Sequence, residues 1–152
     1  GRSHEPGVLL AERIKALAPL QRAKVFFGNS GSDANDTQIK LIWYYNNVRG
    51  RPQKKKIIGR VKGYHGITLA AGSLTGLPPM HNQWDLPLDG RFIHTDCPHH
   101  YRFAEPGETE EAFSARLAAN LEALILKEDP DTIAAFIAEL AVCMPIKIQV
   151  TI

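Results

Sequence analysis

Cysteine is scarce in this chain of 152 residues: Cys97 and Cys143 are the whole supply. Two thiols so far apart in sequence make neither a disulfide framework nor a four-ligand zinc site, and a reducing cytoplasm is the compartment such usage fits. Long apolar runs are missing as well. No stretch reaches the roughly 18 to 20 residues that a membrane-spanning helix needs, and Gly1 to Gly7 lacks the apolar core of a signal peptide, so no membrane partner is expected. Nor is there an excess of either charge. Lys and Arg number 18 and Asp and Glu 16, a formal net charge of +2, which gives no reason to expect nucleic acid or an anionic surface as partner. Neither phosphate-loop signature, GxxxxGK[ST] or GxGxxG, occurs, and there is no internal repeat or low-complexity tract. The first residue is Gly1 and not Met, which leads to the expectation of an internal piece of something longer.

What is present centres on Lys24 to Lys40, KVFFGNSGSDANDTQIK. Val25, Phe26 and Phe27 have the β-branched and aromatic character of a buried strand. Ser30, Gly31 and Ser32 form a small-residue turn, and Asp33 and Asp36 follow in what reads as the start of a helix. Such a helix N-terminus leaves backbone N–H groups unpaired and carries a positive partial charge, so it suits a phosphate. The plainer alternative is that Ser32 caps the helix while Asp33 and Asp36 serve its dipole.

Around this stretch the apolar spacing lays out an alternating chain. Leu10, Ile14 and Leu17 mark a helix with one buried stripe over Pro6–Ala18, and Ile39, Ile42 and Trp43 mark the inner side of a helix from Ser32 to about Val48. Further strands are expected at Ile57–Val61, Arg91–Thr95 and Thr132–Ala138. A short helix is expected over Ile67–Leu74, and a long one after Thr109 with Phe113, Leu117, Leu121 and Leu124 on one face. The triplet Lys54, Lys55 and Lys56 reads as a solvated edge. Strand and helix in alternation imply an α/β fold, a mostly parallel sheet with flanking helices.

Ligands of such folds gather at the carboxyl ends of the strands. Four clusters fall there: Ser30 to Ser32, Tyr64 with His65, Asp96 to His100, and Glu139. Tyr64 and His65 sit between Gly63 and Gly66, which can place an aromatic ring on an open ledge for stacking, although a tyrosine packed as a loop anchor is an equally simple reading. A phosphate turn beside a stacking ring suits a nucleotide or pyridoxal 5′-phosphate.

NSGSDAN at 29–35, GYHG at 63–66 and AAFIAE at 134–139, in that order, resemble class III pyridoxal-phosphate aminotransferases, the ω-amino acid transaminases among them. The resemblance extends over Val8 to Glu139 and includes IGR at Ile58–Arg60 and DLP at Asp85–Pro87. It implies residues 1–139 as a partial large domain of a fold type I enzyme, acting as a homodimer on an amine or amino acid and a keto acid. Gly31 and Ser32 match the family positions that hold the cofactor phosphate, with Ser30 adjacent and Asp33 where Glu is more usual. Tyr64 matches the tyrosine that stacks on the pyridine ring, His65 accompanies it, and Glu139 matches an acidic residue near the ring. The family's Schiff-base lysine and the aspartate at the pyridinium nitrogen match no position here, so the isolated chain is expected to be an inactive, truncated fragment.

Leu140 to Ile152, LAVCMPIKIQVTI, departs from the proline and glycine-rich turn that the family places after the glutamate, and its alternating Ile146, Ile148, Val150 and Ile152 suit an extended segment. Two other readings stay open. One is a non-catalytic phosphate or nucleotide binder that uses the same turn and ledge. The other is a metal module built on His94, Asp96, Cys97, His99 and His100, whose imidazole, thiolate and carboxylate groups are all zinc ligands.

Overall fold

A computed structural model describes residues 4–20, 22–88 and 90–139; the 140–152 expectation lies outside them. Along the chain run α1 (Glu5–Leu17), α2 (Gly31–Val48), β1 (Lys56–Arg60), α3 (Leu69–Leu74), β2 (Phe92–Thr95), α4 (His100–Phe103), α5 (Glu110–Lys127) and β3 (Ile133–Phe136). The three strands form one parallel sheet in the order β2-β1-β3. β1 is central, with Ile57 opposite Phe92 on one side and Ala135 on the other.

That register fixes the core. Phe92, Ile57 and Ala135 form a row across one face, where Ile39 of α2 and Leu74 of α3 close over them with Ile137. Trp43 packs against the same cluster, its ring tilted against Phe92, and its Nε1–H donates to Lys55 O at 2.9 Å. Successive strand residues face opposite ways, so Ile58 points to the other side of the sheet. It too is fully buried, as a parallel sheet covered on both faces requires. On α5, Phe113 is buried and Leu117, Leu121 and Leu124 are half-buried along the expected stripe.

Three expectations need correction. Val25–Phe27 forms no strand: Phe26 is 64% exposed and Phe27 52%, and the segment pairs with none of β1, β2 and β3. The α1 stripe is likewise open. Leu10, Ile14 and Leu17 are exposed and no residue of α1 is buried, so its spacing defines an apolar face that nothing described covers. The lysine triplet is not merely solvated. Lys55 Nζ donates to Trp43 O and Asn47 Oδ1, and Lys56 Nζ reaches Glu128 O and Oε2 at 2.8 and 2.9 Å, which ties the α5 end to the sheet.

Candidate functional site

The Ser30–Ser32 turn opens α2 in a particular way. Ser30, not Ser32, is the N-cap: its Oγ accepts from Asp33 N at 3.1 Å, and Asp33 Oδ2 accepts in return from Asn29 N at 3.0 Å. The first helical bond runs from Ala34 N to Ser30 O. Gly31 and Ser32 therefore carry the two first-turn amides that the helix and its cap do not use. Ser32 Oγ faces across a gap and accepts from Ile67 N at 3.1 Å.

The segment it meets follows β1. Tyr64 is 45% exposed, whereas His65 is buried. The His65 amide donates to Thr75 Oγ1 at 2.9 Å and its carbonyl accepts from Asn35 Nδ2. Gly66 is forced by space. At φ +139° an added Cβ would lie 2.5 Å from Ser32 Oγ and 2.8 Å from Ala71 Cβ, so only glycine lets this loop approach α2 so closely. Beyond it Asp36 Oδ1 accepts from Thr68 Oγ1 at 2.7 Å and from Ala71 N at 3.0 Å, so Asp36 serves α3 and not its own helix dipole.

Glu139, just past β3, closes the other side. Its Oε1 accepts from Tyr64 N at 2.8 Å and its carbonyl accepts from Arg60 Nη1 at 3.0 Å. The Arg60 guanidinium also lies over the Phe136 ring, 5.5 Å from its centroid. Burial pushes the Arg60 pKa below its ordinary value, and the Glu139 charge opposes that shift. Ser32, Tyr64 and Glu139, from three separate stretches, thus meet at the carboxyl end of the sheet through the 63–67 loop.

The metal constellation does not converge. His94 Nε2 is 3.0 Å from Leu74 O, His100 Nε2 is 2.8 Å from Glu108 O, and Asp96 accepts from Asn120 Nδ2. His99 lies against Tyr101 and Phe103, and burial raises the pKa of the Cys97 thiol. Among the described residues no group of three His, Cys, Asp or Glu side chains is placed to hold a metal ion. A cavity of about 740 Å³ opens elsewhere, along the outer side of β3 between Leu41, Tyr45, Ile133 and Phe136, and none of the predicted site residues lines it.

The sequence profile described as aminotransferase class-III matches residues 2–143, nearly the whole chain. The chain belongs to the class III aminotransferases. It is 62% identical over 139 residues to gamma aminobutyrate transaminase 3, chloroplastic, of Solanum lycopersicum, an alignment that covers 91% of this chain and 26% of that protein. To a vanillin aminotransferase of Capsicum chinense it is 60% identical, covering 91% and 30%. Its fold superposes on the omega transaminase of Pseudomonas jessenii in complex with PMP with a TM-score of 0.87, at 59% identity over 91% of this chain and 30% of the other. The chain thus spans about a quarter to a third of the length of these relatives. Among the described residues no helix is long and apolar enough to cross a membrane.

Class III aminotransferases use pyridoxal phosphate, and the donor set here fits that group. A helix start with unused amides suits a phosphate, and the Gly31 and Ser32 N–H groups and the Ser32 hydroxyl are donors of that kind. The hydroxyl accepts from Ile67 and keeps its proton to give. Tyr64, 45% exposed, is the aromatic residue beside them. Sequence reasoning assigned no site role to Asn35, Asp36, Thr75 and Arg60, which fix these groups, although Asn35 and Arg60 stand inside the NSGSDAN and IGR motifs. A further signal for Asn35 and Asp36 is that they are polar residues three and four positions after Ser32, on the face that the apolar pattern assigns to the interior.

Proposed function

We propose that this chain carries the phosphate cup and ring ledge of a pyridoxal-phosphate-dependent transaminase, which moves an amino group between an amine or amino acid and a keto acid. The observation that carries the reading is the meeting of Ser32, Tyr64 and Glu139 around one short loop, in a chain so close in sequence to known transaminases. Gly31 and Ser32 amides and the Ser32 hydroxyl bind the phosphate, and the α2 dipole favours its charge. Ser30 holds the turn open as the cap. Tyr64 stacks on the pyridine ring. His65 supports that ledge from beneath, and Glu139 sets its height through the Tyr64 amide while presenting its other oxygen near the ring.

The bound cofactor supplies an electron sink, and the protein's part is orientation and charge. No lysine of this chain is proposed as the Schiff-base residue: Lys55 and Lys56 are tied to backbone and carboxylate, and Lys62 lies over the Phe103 ring. Relatives named for gamma-aminobutyrate and vanillin suggest a small primary amine or its aldehyde as the substrate class. The open faces of α1 and of Leu41, Tyr44 and Tyr45 on α2 support a homodimer in the whole protein. Cysteine usage supports a reducing cytoplasm, against relatives named chloroplastic and mitochondrial.

The test grafts residues 4–139 in place of the matching segment of the Pseudomonas jessenii omega transaminase. Retained amine-to-keto-acid transfer is expected, and a folded chimera with no transfer overturns the reading. The separate chain, treated with pyridoxal phosphate and borohydride, is expected to give no stoichiometric adduct at a single lysine. Finding one would overturn the statement about its lysines.

A further inference from the structure

Ser32, Asn35 and Asp36 are spaced i, i+3 and i+4, so they share one face of α2. Each holds a different part of the loop that follows Tyr64: Ser32 takes Ile67 N, Asn35 takes His65 O, and Asp36 takes Thr68 Oγ1 and Ala71 N. Asp36 does the most. Thr68 is the N-cap of α3 but makes no side-chain cap bond of its own, and Ala71 is the third residue of that helix. The cap of α3 is therefore supplied from α2, by one carboxylate oxygen that accepts two bonds.

This arrangement bears on the Ser32 hydroxyl. A serine in the first turn has no preceding helical carbonyl to turn back to, so its proton is directed by what else the oxygen bonds. With Ile67 N–H on one lone pair, that proton is left for the anion. We infer that Asp36 is a positioning residue for the cofactor phosphate, because by fixing the start of α3 it keeps Ile67 N–H on Ser32 Oγ and turns the Ser32 hydroxyl toward the phosphate. The inference rests on the phosphate-cup reading above and adds to it a residue that does not touch the cofactor.

The test is equilibrium dialysis of the full 152-residue chain against pyridoxamine 5′-phosphate and against pyridoxamine, which lacks the phosphate. Neither has an aldehyde, so lysine adducts do not intrude. The native chain is expected to prefer the phosphorylated form. Asp36→Ala is expected to reduce that preference about tenfold, the worth of one hydrogen bond to a charged group, with pyridoxamine affinity unchanged. Asp36→Asn, which keeps an acceptor oxygen, is expected to restore most of it. Ser32→Ala is expected to cost the same preference, and the double variant no more than either alone, which a merely structural role would not produce. If Asp36→Ala loses its far-ultraviolet circular dichroism, Thr68→Val carries the comparison, since it removes one donor and leaves the carboxylate in place.

A native chain without preference overturns the cup reading and the inference with it. A native preference that Asp36→Ala or Thr68→Val leaves intact, or that falls additively in the double variant, overturns the inference alone.

Discussion

Gly66→Ala is the change that strikes the site where it is least able to give. At φ +139° the backbone lies where L side chains rarely go, a strain of about 1 to 3 kcal/mol. The added carbon would sit 2.5 Å from Ser32 Oγ, 3.0 Å from Ser32 Cβ and 2.8 Å from Ala71 Cβ. Neither neighbour is the far end of a flexible chain, so relief requires the loop to leave α2, at an overpacking cost of roughly 1 to 3 kcal/mol. Departure also breaks the Ser32–Ile67 bond, worth about 1 kcal/mol. These costs share one displacement and do not add fully, so about 3 to 4 kcal/mol is expected in all. Urea unfolding followed by circular dichroism measures it, and for an m-value of about 2 kcal/mol/M the midpoint falls by about 1.5 to 2 M. Gly50→Ala is the control. Gly50 has φ +68° with nothing within 4 Å of an added Cβ, so it isolates the backbone cost of about 1 to 2 kcal/mol. If Gly66→Ala costs no more than Gly50→Ala, the close approach of the 63–67 loop to α2 is not a feature of the protein.

Glu139→Ala should speed hydrogen exchange at the Tyr64 amide and lower stability by about 1 kcal/mol, while Glu139→Gln, which keeps an oxygen for that amide, should do neither; equal effects from both would mean the Glu139–Tyr64 bond does not hold the ledge. The Glu108 carboxyl, held by Arg116 and by the Glu105 amide, has its pKa lowered from 4.5 to about 2. A depressed carboxyl stabilises fully above its unfolded pKa, and the contribution is lost as pH falls from 4.5 through about 2. Melting temperatures of Glu108→Gln should therefore depend less on pH in that window than those of the native chain, and parallel curves would refute the assignment. Lys56→Ala, which removes two bonds from a half-buried pair, should cost about 1 kcal/mol in urea unfolding, and a loss near zero would mean the α5 end is held by packing alone. With β3 unpaired on its outer side and α1 open among the described residues, the isolated chain should elute at a size that grows with concentration, and a monodisperse monomer would count against that expectation.

How far the fold can be read from the residues depends on whether an element finds its partner inside the chain. β2 and β3 lie inside the stretches their apolar runs mark, β1 begins one residue before its own, and α2 and α5 present the faces their spacing assigns. Each pairs with, or packs on, another of the same set. Val25–Phe27 and α1 carry equally good patterns. Phe26, Phe27, Leu10, Ile14 and Leu17 are nonetheless exposed, since an apolar pattern records a demand for burial and does not show that the partner lies among the described residues.

The site divides on different grounds. Motif residues were legible because each answers a direct chemical demand: unused amides at a helix start for an anion, a glycine-flanked ring for stacking, an acid at a strand end. Asn35, Asp36, Thr75 and Arg60 answer a demand that arises only in three dimensions, that of the backbone groups of His65, Gly66, Ala71 and Glu139, which packing brings against side chains from elsewhere in the chain. Asp36 shows the difference in one residue. Its place in the first turns of α2 made the helix dipole the natural partner, and one dipole contact is worth about 0.3 to 1 kcal/mol. Two charge-assisted bonds to α3 outweigh that, at about 1.5 to 3 kcal/mol each before desolvation. The stronger partner therefore sets the side chain's direction, and with it the loop that carries Tyr64.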